Sequence, residues 1–548
     1  MEHLRFLFKF GSKNRKKLII ALACLSFVSL SNLIYPWLFK LMIDYLVNGN
    51  KTGAAFNIPL VTAIFAGVII LSTVLGYYTS VLMQELGFEL RNDVRSGYFR
   101  SLLNKPYPFF KNEAVGSLTS RATEDIGKLQ SVYTGLLVPF YQNVLFITGC
   151  LILMLMLNPA ATGIVFAIIL SGIPVMHFFS KRIKKLSGEA QREHASANAV
   201  MDESLTGIRE VKAFLLEKLR LRKYSDRSKA ALEMEMKSSS YQAKSTQSVF
   251  VIVSLLLLLI FYMGVSGGSS WSPGSAVAFY FYAYSLTMAF LSLGRVYTHY
   301  NQITGSTARI VEIIGDGKSI QAVTDLENNN PANKEKLKGA IEFKNVTFGY
   351  SEDKTVLNNV SFSANKGDWL LITGPSGSGK STITNLLMGF YKAKQGEILF
   401  DGKNIDETDI NTIRGNIGYV GQEAVLFEGT IRENIMVSGG EDNEKTFSEI
   451  LRVSMADKFI DGLPKGADTN IAERGVTLSA GQRSRIAIAR ALAADPAILL
   501  LDEANSMLEE SLEEELWKNL YELRKNKTTI IFSHHTEAIP KVYKQFAL

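Results

Sequence analysis

Gly374-Pro375-Ser376-Gly377-Ser378-Gly379-Lys380-Ser381-Thr382 follows the apolar run Trp369-Leu370-Leu371-Ile372-Thr373 and precedes a helical pattern from Thr382 to Met388. Glycines at this spacing let consecutive backbone N–H groups turn inward around an anion, and the helix behind them presents its positive end. In such a loop Lys380 reaches the β- and γ-phosphates of a nucleotide, and Ser381 offers its hydroxyl to Mg²⁺. A strand before and a helix after are what lift the pattern above a chance Gly/Ser loop.

Working outward, Ala497-Ile498-Leu499-Leu500-Leu501 reads as a buried strand that delivers Asp502 and Glu503 at its end. Asp502 is placed to hold the metal and Glu503 to polarise an attacking water, the general-base part of phosphoryl transfer. Short apolar strands alternating with helical stretches over 340–548 predict an α/β P-loop domain. The polar, turn-rich stretch 316–339, with Asn328-Asn329-Asn330-Pro331 inside it, reads as a linker.

The part of the chain before the linker has a different composition. Residues 18–39, 52–84, 129–180 and 245–294 contain no Asp, Glu, Lys or Arg. A bilayer core takes about 20 apolar residues per helix, because unpaired backbone groups in lipid are costly. Breaks at Asn158-Pro159 and at Gly267-Gly268-Ser269-Ser270/Pro273 divide the longer runs, which predicts six spans near 18–38, 59–83, 133–157, 160–180, 248–267 and 273–294. The first is too long, and lacks the small-residue cleavage site, for a signal peptide. The expected fold class is therefore a six-span α-helical membrane domain (1–315) followed by the α/β domain.

Of the 548 residues, 47% are hydrophobic and 20% charged, with a formal net charge of +7. Much of the positive charge lies at Arg5, Lys9, Lys13, Arg15, Lys16 and Lys17 and in the connections 84–132 and 181–247. Basic connections stay on the cytoplasmic side, which puts both termini and the nucleotide domain inside the cell. The charge is thus a topology signal, and nucleic acid is not expected as a partner. Both long connections continue the helical period and predict arms on the order of 35–40 Å. Cys24 and Cys150 sit in apolar runs and read as packing residues, and the spacing of His and Cys suggests no metal cluster.

Leu478-Ser479-Ala480-Gly481-Gln482, opening a basic amphipathic helix about twenty residues before the acidic strand, completes a family pattern. The chain resembles the ATP-binding cassette transporters, in particular half-size exporters. Phe109-Phe110, Gly116–Arg121, Glu203–Phe214 and Leu426–Ile435 are similar to family segments, and Glu473-Arg474-Gly475 resembles the segment that meets the cytoplasmic loops. The resemblance implies ATP and Mg²⁺ as cofactors and assigns further residues. Tyr350 is similar to the aromatic stacking on adenine, Gln422 to the glutamine sensing Mg²⁺ and the attacking water, and His534 to the switch histidine at the γ-phosphate. Ser479, Gly481 and Gln482 would meet ATP held by the Gly374–Thr382 loop of an opposing chain. Only one membrane half and one nucleotide half are encoded, so a second identical chain is the expected partner.

Several positions depart from the family. Ala480 replaces a glycine, at a cost on the order of 1 kcal/mol if the backbone there needs φ > 0. Glu509, in Ser506-Met507-Leu508-Glu509, stands where aspartate is expected, and His535 where arginine is common. After the switch histidine the usual final strands and helices are not expected.

The activity this implies is ATP hydrolysis coupled to export of a peptide or an amphipathic or hydrophobic small molecule across the cell (plasma or inner) membrane, by alternating access. A lipid flippase and a nucleotide-gated membrane regulator or channel are the alternatives. No processing peptidase is expected ahead of the first span, which begins near Leu18. With no charge inside the four runs, the cargo face is expected to be aromatic and amide-rich, with Tyr133 and Gln142 in the third span and Tyr280 and Tyr284 in the sixth as its contacts.

Overall fold

The computed structural model describes residues 14–48, 58–266, 271–315, 336–352, 354–439, 443–472, 475, 477–503, 510–533, 539 and 544–548. Contacts divide the chain into two units: Met1–Leu103 with Gly116–Ile320, and Asn104–Val115 with Gln321–Leu548.

The described residues of the first unit are helices and their short connections, as an apolar chain must be when its backbone has no water to bond. Its long helices are α1 (Arg15–Asn48), α2 (Ile58–Leu103), α3 (Val138–Leu157), α4 (Pro159–Thr206), α5 (Glu217–Ser266) and α6 (Pro273–Ile314). Among the described residues six helices, the third of them counted from Val115 to Leu157, are long and apolar enough to cross a membrane. Gly267–Ser270 of the second predicted break lie outside the described residues, and the described parts of both breaks, Asn158-Pro159 and Ser272-Pro273, are cap structures. The Asn158 side chain accepts from Ala161 N at 2.9 Å and Pro159 fills the first turn of α4; Ser272 and Pro273 do the same for α6, with Ser275 N as donor at 3.1 Å.

The arm predicted for 181–247 is an antiparallel pair formed by α4 and α5. Contacts run in step along it: Ser187 with Ser238, His194 with Glu235, Glu193 with Arg227 and Glu203 with Arg220. Arg220 bonds both oxygens of Glu203, at 2.8 and 2.9 Å, and that pairing lowers the carboxyl pKa of Glu203.

The third span is more broken than expected. Before α3 the chain passes through π-helical turns at Arg121–Asp125 and Val132–Leu137, so residues 133–137 of the predicted span are not α-helix. Such turns insert a residue into the α-helical ladder and shift the side chains around it. Here the shift accompanies a buried Asp125 that accepts from Arg309 Nε at 2.7 Å and from the Ser306 hydroxyl at 3.2 Å.

The second unit holds two main sheets and a short antiparallel pair, β7 Gly429–Thr430 with β8 Asn470–Ile471. One is antiparallel, in the order β2-β1-β4-β5, with β1 Ile341–Phe348, β2 Leu357–Ala364, β4 Gln395–Phe400 and β5 Lys403–Asn404. The other is parallel, in the order β11-β3-β10-β9-β6, with β3 Trp369–Thr373, β6 Ile417–Val420, β9 Ile498–Asp502, β10 Thr528–Phe532 and β11 Lys544–Ala547. Helices on both faces explain why its central strands read as unbroken apolar runs. Trp369, Leu371, Leu499, Leu501 and Ile531 enter one core; Leu370, Ile372, Ile498, Leu500, Ile530 and Phe532 enter the other. Strand β11 corrects the expectation of no further strand: Lys544–Ala547 pairs with Leu370–Thr373 and extends the sheet past β3.

Residues 104–115, placed by the sequence in the membrane domain of 1–315, make their contacts in the second unit. The short helix Tyr107–Asn112 stacks Tyr107 on Phe390, with ring centroids 4.6 Å apart. Glu473, Arg474, Ser506–Glu509, His534, His535 and most of the linker lie outside the described residues.

Candidate functional site

Register assembles the nucleotide site. In the parallel sheet Phe532 is level with Ile372 on one side and with Asp502 on the other. With strands ~4.8 Å apart, the carboxyl ends of β3 and β9 are separated by one strand, about 10 Å. The Gly374–Thr382 loop leaves one end and Asp502-Glu503 the other, so the two predicted motifs converge at the edge where open α/β sheets bind ligands.

The loop has the backbone its glycines permit. Gly377 and Gly379 adopt φ +83° and +105°, and a Cβ on Gly379 would fall 2.6 Å from Leu357 Cδ2. The helix α7 (Lys380–Leu387) starts here with Lys380 buried and its Nζ donating to Gly374 O at 2.7 Å and Pro375 O at 3.2 Å. Ser378 Oγ is buried without a hydrogen-bond partner. An orphan hydroxyl in a cradle of N–H groups and one lysine suits an anionic acceptor, and the loop therefore fits a nucleotide's phosphates.

Asp502 is buried, and burial first and then the neighbouring Glu503 raise its pKa; a hydrogen bond from Ser381 and the charge of Lys380 work the other way. Such a carboxylate is under-compensated and suits a cation beside Ser381. Glu503 leaves β9 at φ +51°, uncommon for a residue with a side chain, and its N–H is held by Phe532 O at 3.0 Å. That turn points its carboxylate at Gln422, whose Nε2 donates to Glu503 Oε2 at 2.9 Å. Tyr350 is half exposed, its hydroxyl 3.1 Å from both Thr382 Oγ1 and Asn385 Nδ2. The site thus brings together Gln422 with Glu503, Ser381 with Asp502, and Tyr350 with the helix of the phosphate loop.

Ser479, Gly481 and Gln482 stand apart from that cluster in their recorded bonds. Ser479 caps α8 (Ala480–Ala493) in a reciprocal pair with Gln482: Gln482 N donates to Ser479 Oγ at 3.2 Å and Ser479 N to Gln482 Oε1 at 2.9 Å. Ala480 is the first helical residue and is not among the positive-φ positions, so the backbone cost considered for this alanine does not arise.

One structural residue escaped the sequence reading. Arg490, at the end of α8, bonds Val425 O, Asn434 O and Asn434 Oδ1 at 2.8–2.9 Å. It ties the segment after Gln422 to the helix that Ser479 caps. Its position in a basic helix carries no signal of that bond.

In the membrane unit a cavity of about 570 Å³ opens between α1, α3 and α6. Of the four residues proposed from sequence for the cargo face, Gln142 and Tyr284 line it, whereas Tyr133 and Tyr280 do not. Tyr133 is buried in the second π turn, and the Tyr280 ring packs edge-on to Phe281. Overlooked in the sequence were Ser29, Asn32, Pro36 and Phe39, which also line the cavity. Their spacing of three, four and three residues marks one face of α1 and was a readable signal.

Residues 18–290 match the family model of the ABC transporter transmembrane region and 357–506 that of the ABC transporter. An ATP-dependent lipid A-core flippase of Desulfotalea psychrophila is 31% identical over 494 residues, covering 88% of this chain and 84% of the relative. An uncharacterized ABC transporter ATP-binding protein of Bacillus subtilis, YfiC, is 28% identical over 98% of this chain and 88% of its own length. The structure of a bacterial Atm1-family ABC exporter with ATP bound superposes with a TM-score of 0.83 at 25% identity, over 97% of this chain and 94% of that one.

The chain is therefore an ABC transporter, of the exporter type that fuses a six-helix membrane domain to a nucleotide-binding domain. It is a multi-pass membrane protein that binds ATP and couples its hydrolysis to transport.

Proposed function

We propose that two copies of this chain form a homodimeric exporter that moves a peptide or an amphipathic or hydrophobic small molecule out of the cell across the cell membrane. Both termini and the nucleotide domains face the cytoplasm in this reading. The observation that carries it is the convergence of Gln422, Glu503, Asp502 and the phosphate loop in a chain whose membrane unit has an uncharged cavity.

Lys380 binds phosphate, Glu503 takes the proton of the attacking water, Gln422 orients that water, and His534 contacts the γ-phosphate. Ser381, Asp502 and Gln422 would hold Mg²⁺, which supplies charge neutralisation for the phosphates when bound. Ser479, Gly481 and Gln482 complete the site on the opposing chain; their hydrogen bonds confined to their own helix end leave that face open for the task. ATP drives the change because it binds the closed pair better than the open one. A lipid-flipping variant of this activity is supported by the relationship to the lipid A-core flippase and by the aromatic and amide lining of the cavity.

The test is transport by purified protein in inside-out vesicles with ATP, compared with the Glu503→Gln variant. ATP-dependent accumulation of a labelled amphipathic compound in the wild type alone supports the reading. Equal accumulation by both overturns it.

A further inference from the structure

Two cavities lie on α3 and α6, and their linings differ in kind. The first, of about 570 Å³, is bordered by Ser29, Asn32, Tyr35, Gln142, Asn143 and Ser285 together with aromatic rings, and no charged side chain is among its lining residues. The second, of about 470 Å³, is bordered by Leu136, Leu137, Phe140, Leu293, Val296 and Tyr297 among others, and is apolar nearly throughout. Ser285, Ala289, Leu293 and Val296 are spaced by four, four and three residues, so both cavities follow one stripe of α6. At 1.5 Å per residue, Ser285 and Val296 are about 16 Å apart along it.

A polar contact marks the divide. Asn143 Nδ2 donates to Ser292 Oγ at 3.0 Å, and Ser292 falls between the Ala289 and Leu293 that serve the two linings. The Ser29 hydroxyl, on the wall of the first cavity, is 3% exposed and has no hydrogen-bond partner. Amides and hydroxyls without a lysine or arginine bind uncharged polar groups and leave an anionic head unpaired, which is costly in a site of low dielectric.

We propose that these two cavities are the two halves of one cargo site, taking an amphipathic molecule with an uncharged polar head beside Ser29, Asn32 and Gln142 and a hydrocarbon part against Phe140, Leu293 and Val296. This rests on the exporter reading and narrows its cargo: a neutral head is accepted and a phosphate-bearing head is refused.

The experiment uses the full chain in nanodiscs, with empty nanodiscs as the blank, and measures equilibrium binding of two labelled lipids of equal acyl chain, monoolein and oleoyl lysophosphatidic acid. Nucleotide is left out, so the result does not depend on hydrolysis. Saturable binding of monoolein at least tenfold tighter than of the anionic lipid is expected. Gln142→Arg should reverse the preference, and Val296→Trp should weaken monoolein at least fivefold by filling the apolar half. Equal or tighter binding of the anionic lipid by the wild type overturns the proposal, as does the absence of saturable binding of either lipid. Disulfide formation between copies through Leu293→Cys in a Cys24→Ser/Cys150→Ser background, unaffected by monoolein, would show a second chain over the apolar half and would also overturn it. ATP-driven transport judged against Glu503→Gln decides the exporter reading separately.

Discussion

The ammonium of Lys111 lies 4.0 Å from the centroid of the Tyr350 ring. Lys111 belongs to the short helix that Tyr107 anchors on Phe390, while Tyr350 is held by Thr382 and Asn385 at the helix of the phosphate loop. A cation over an aromatic face is worth about 0.5–1 kcal/mol when exposed. The same ring is the proposed platform for adenine.

Base and ammonium then compete for the ring. Lys111→Met is expected to tighten ATP binding about two- to fivefold, the factor that 0.5–1 kcal/mol represents. Titration of a fluorescent ATP analogue into the Glu503→Gln background measures it. Weaker binding in the methionine variant would show instead that the ammonium holds Tyr350 in place for the base.

Glu503→Gln should retain ATP binding and lower turnover by roughly 10²–10⁴, the usual worth of a positioned general base. Its amide can keep the contact with Gln422 Nε2 through oxygen, so geometry survives while basicity is lost. Phosphate release together with nucleotide trapping decides the matter, and turnover near wild type would remove the role given to Glu503.

Sharing of the site between chains predicts complementation. Lys380→Ala damages the phosphate loop and Ser479→Arg the capped end of α8. Mixed dimers contain one doubly damaged site and one intact site, so co-purified heterodimers should recover measurable ATPase activity while each parent stays inactive. Heterodimers as inactive as the parents would speak against two independently working composite sites.

Arg524 offers a stability test away from the chemistry. Its guanidinium is 2% exposed and donates to Pro496 O at 3.2 Å, Thr528 O at 3.0 Å and Thr529 Oγ1 at 3.2 Å, joining the chain ahead of β9 to the start of β10. Arg524→Met keeps much of the volume but strands those acceptors, at about 1–3 kcal/mol. Thermal unfolding followed by intrinsic fluorescence should show a lower Tm. ATP affinity, if the variant is assayed well below that Tm, should change less than twofold.

Six spans, the helical arms, the α/β domain and the phosphate-loop motif were legible because each rests on local rules: absence of charge, helical period, and glycines at fixed spacing. Asp502 and Glu503 were legible as the end of an apolar strand. What only tertiary structure decided is which side chains meet. Level pairing of Ile372, Phe532 and Asp502 places the acidic pair near the phosphate loop, and a left-handed turn at Glu503 brings its carboxylate to Gln422, 81 residues earlier in the chain. The wall of the membrane cavity likewise passed from the expected Tyr133 and Tyr280 to Ser29, Asn32 and Phe39 of α1. Periodicity tells which residues share a face of one helix, but which face meets a neighbour depends on packing against other helices and on the π turns that rotate the chain before α3. Register and rotation are relations between distant segments, and no local property of sequence encodes them.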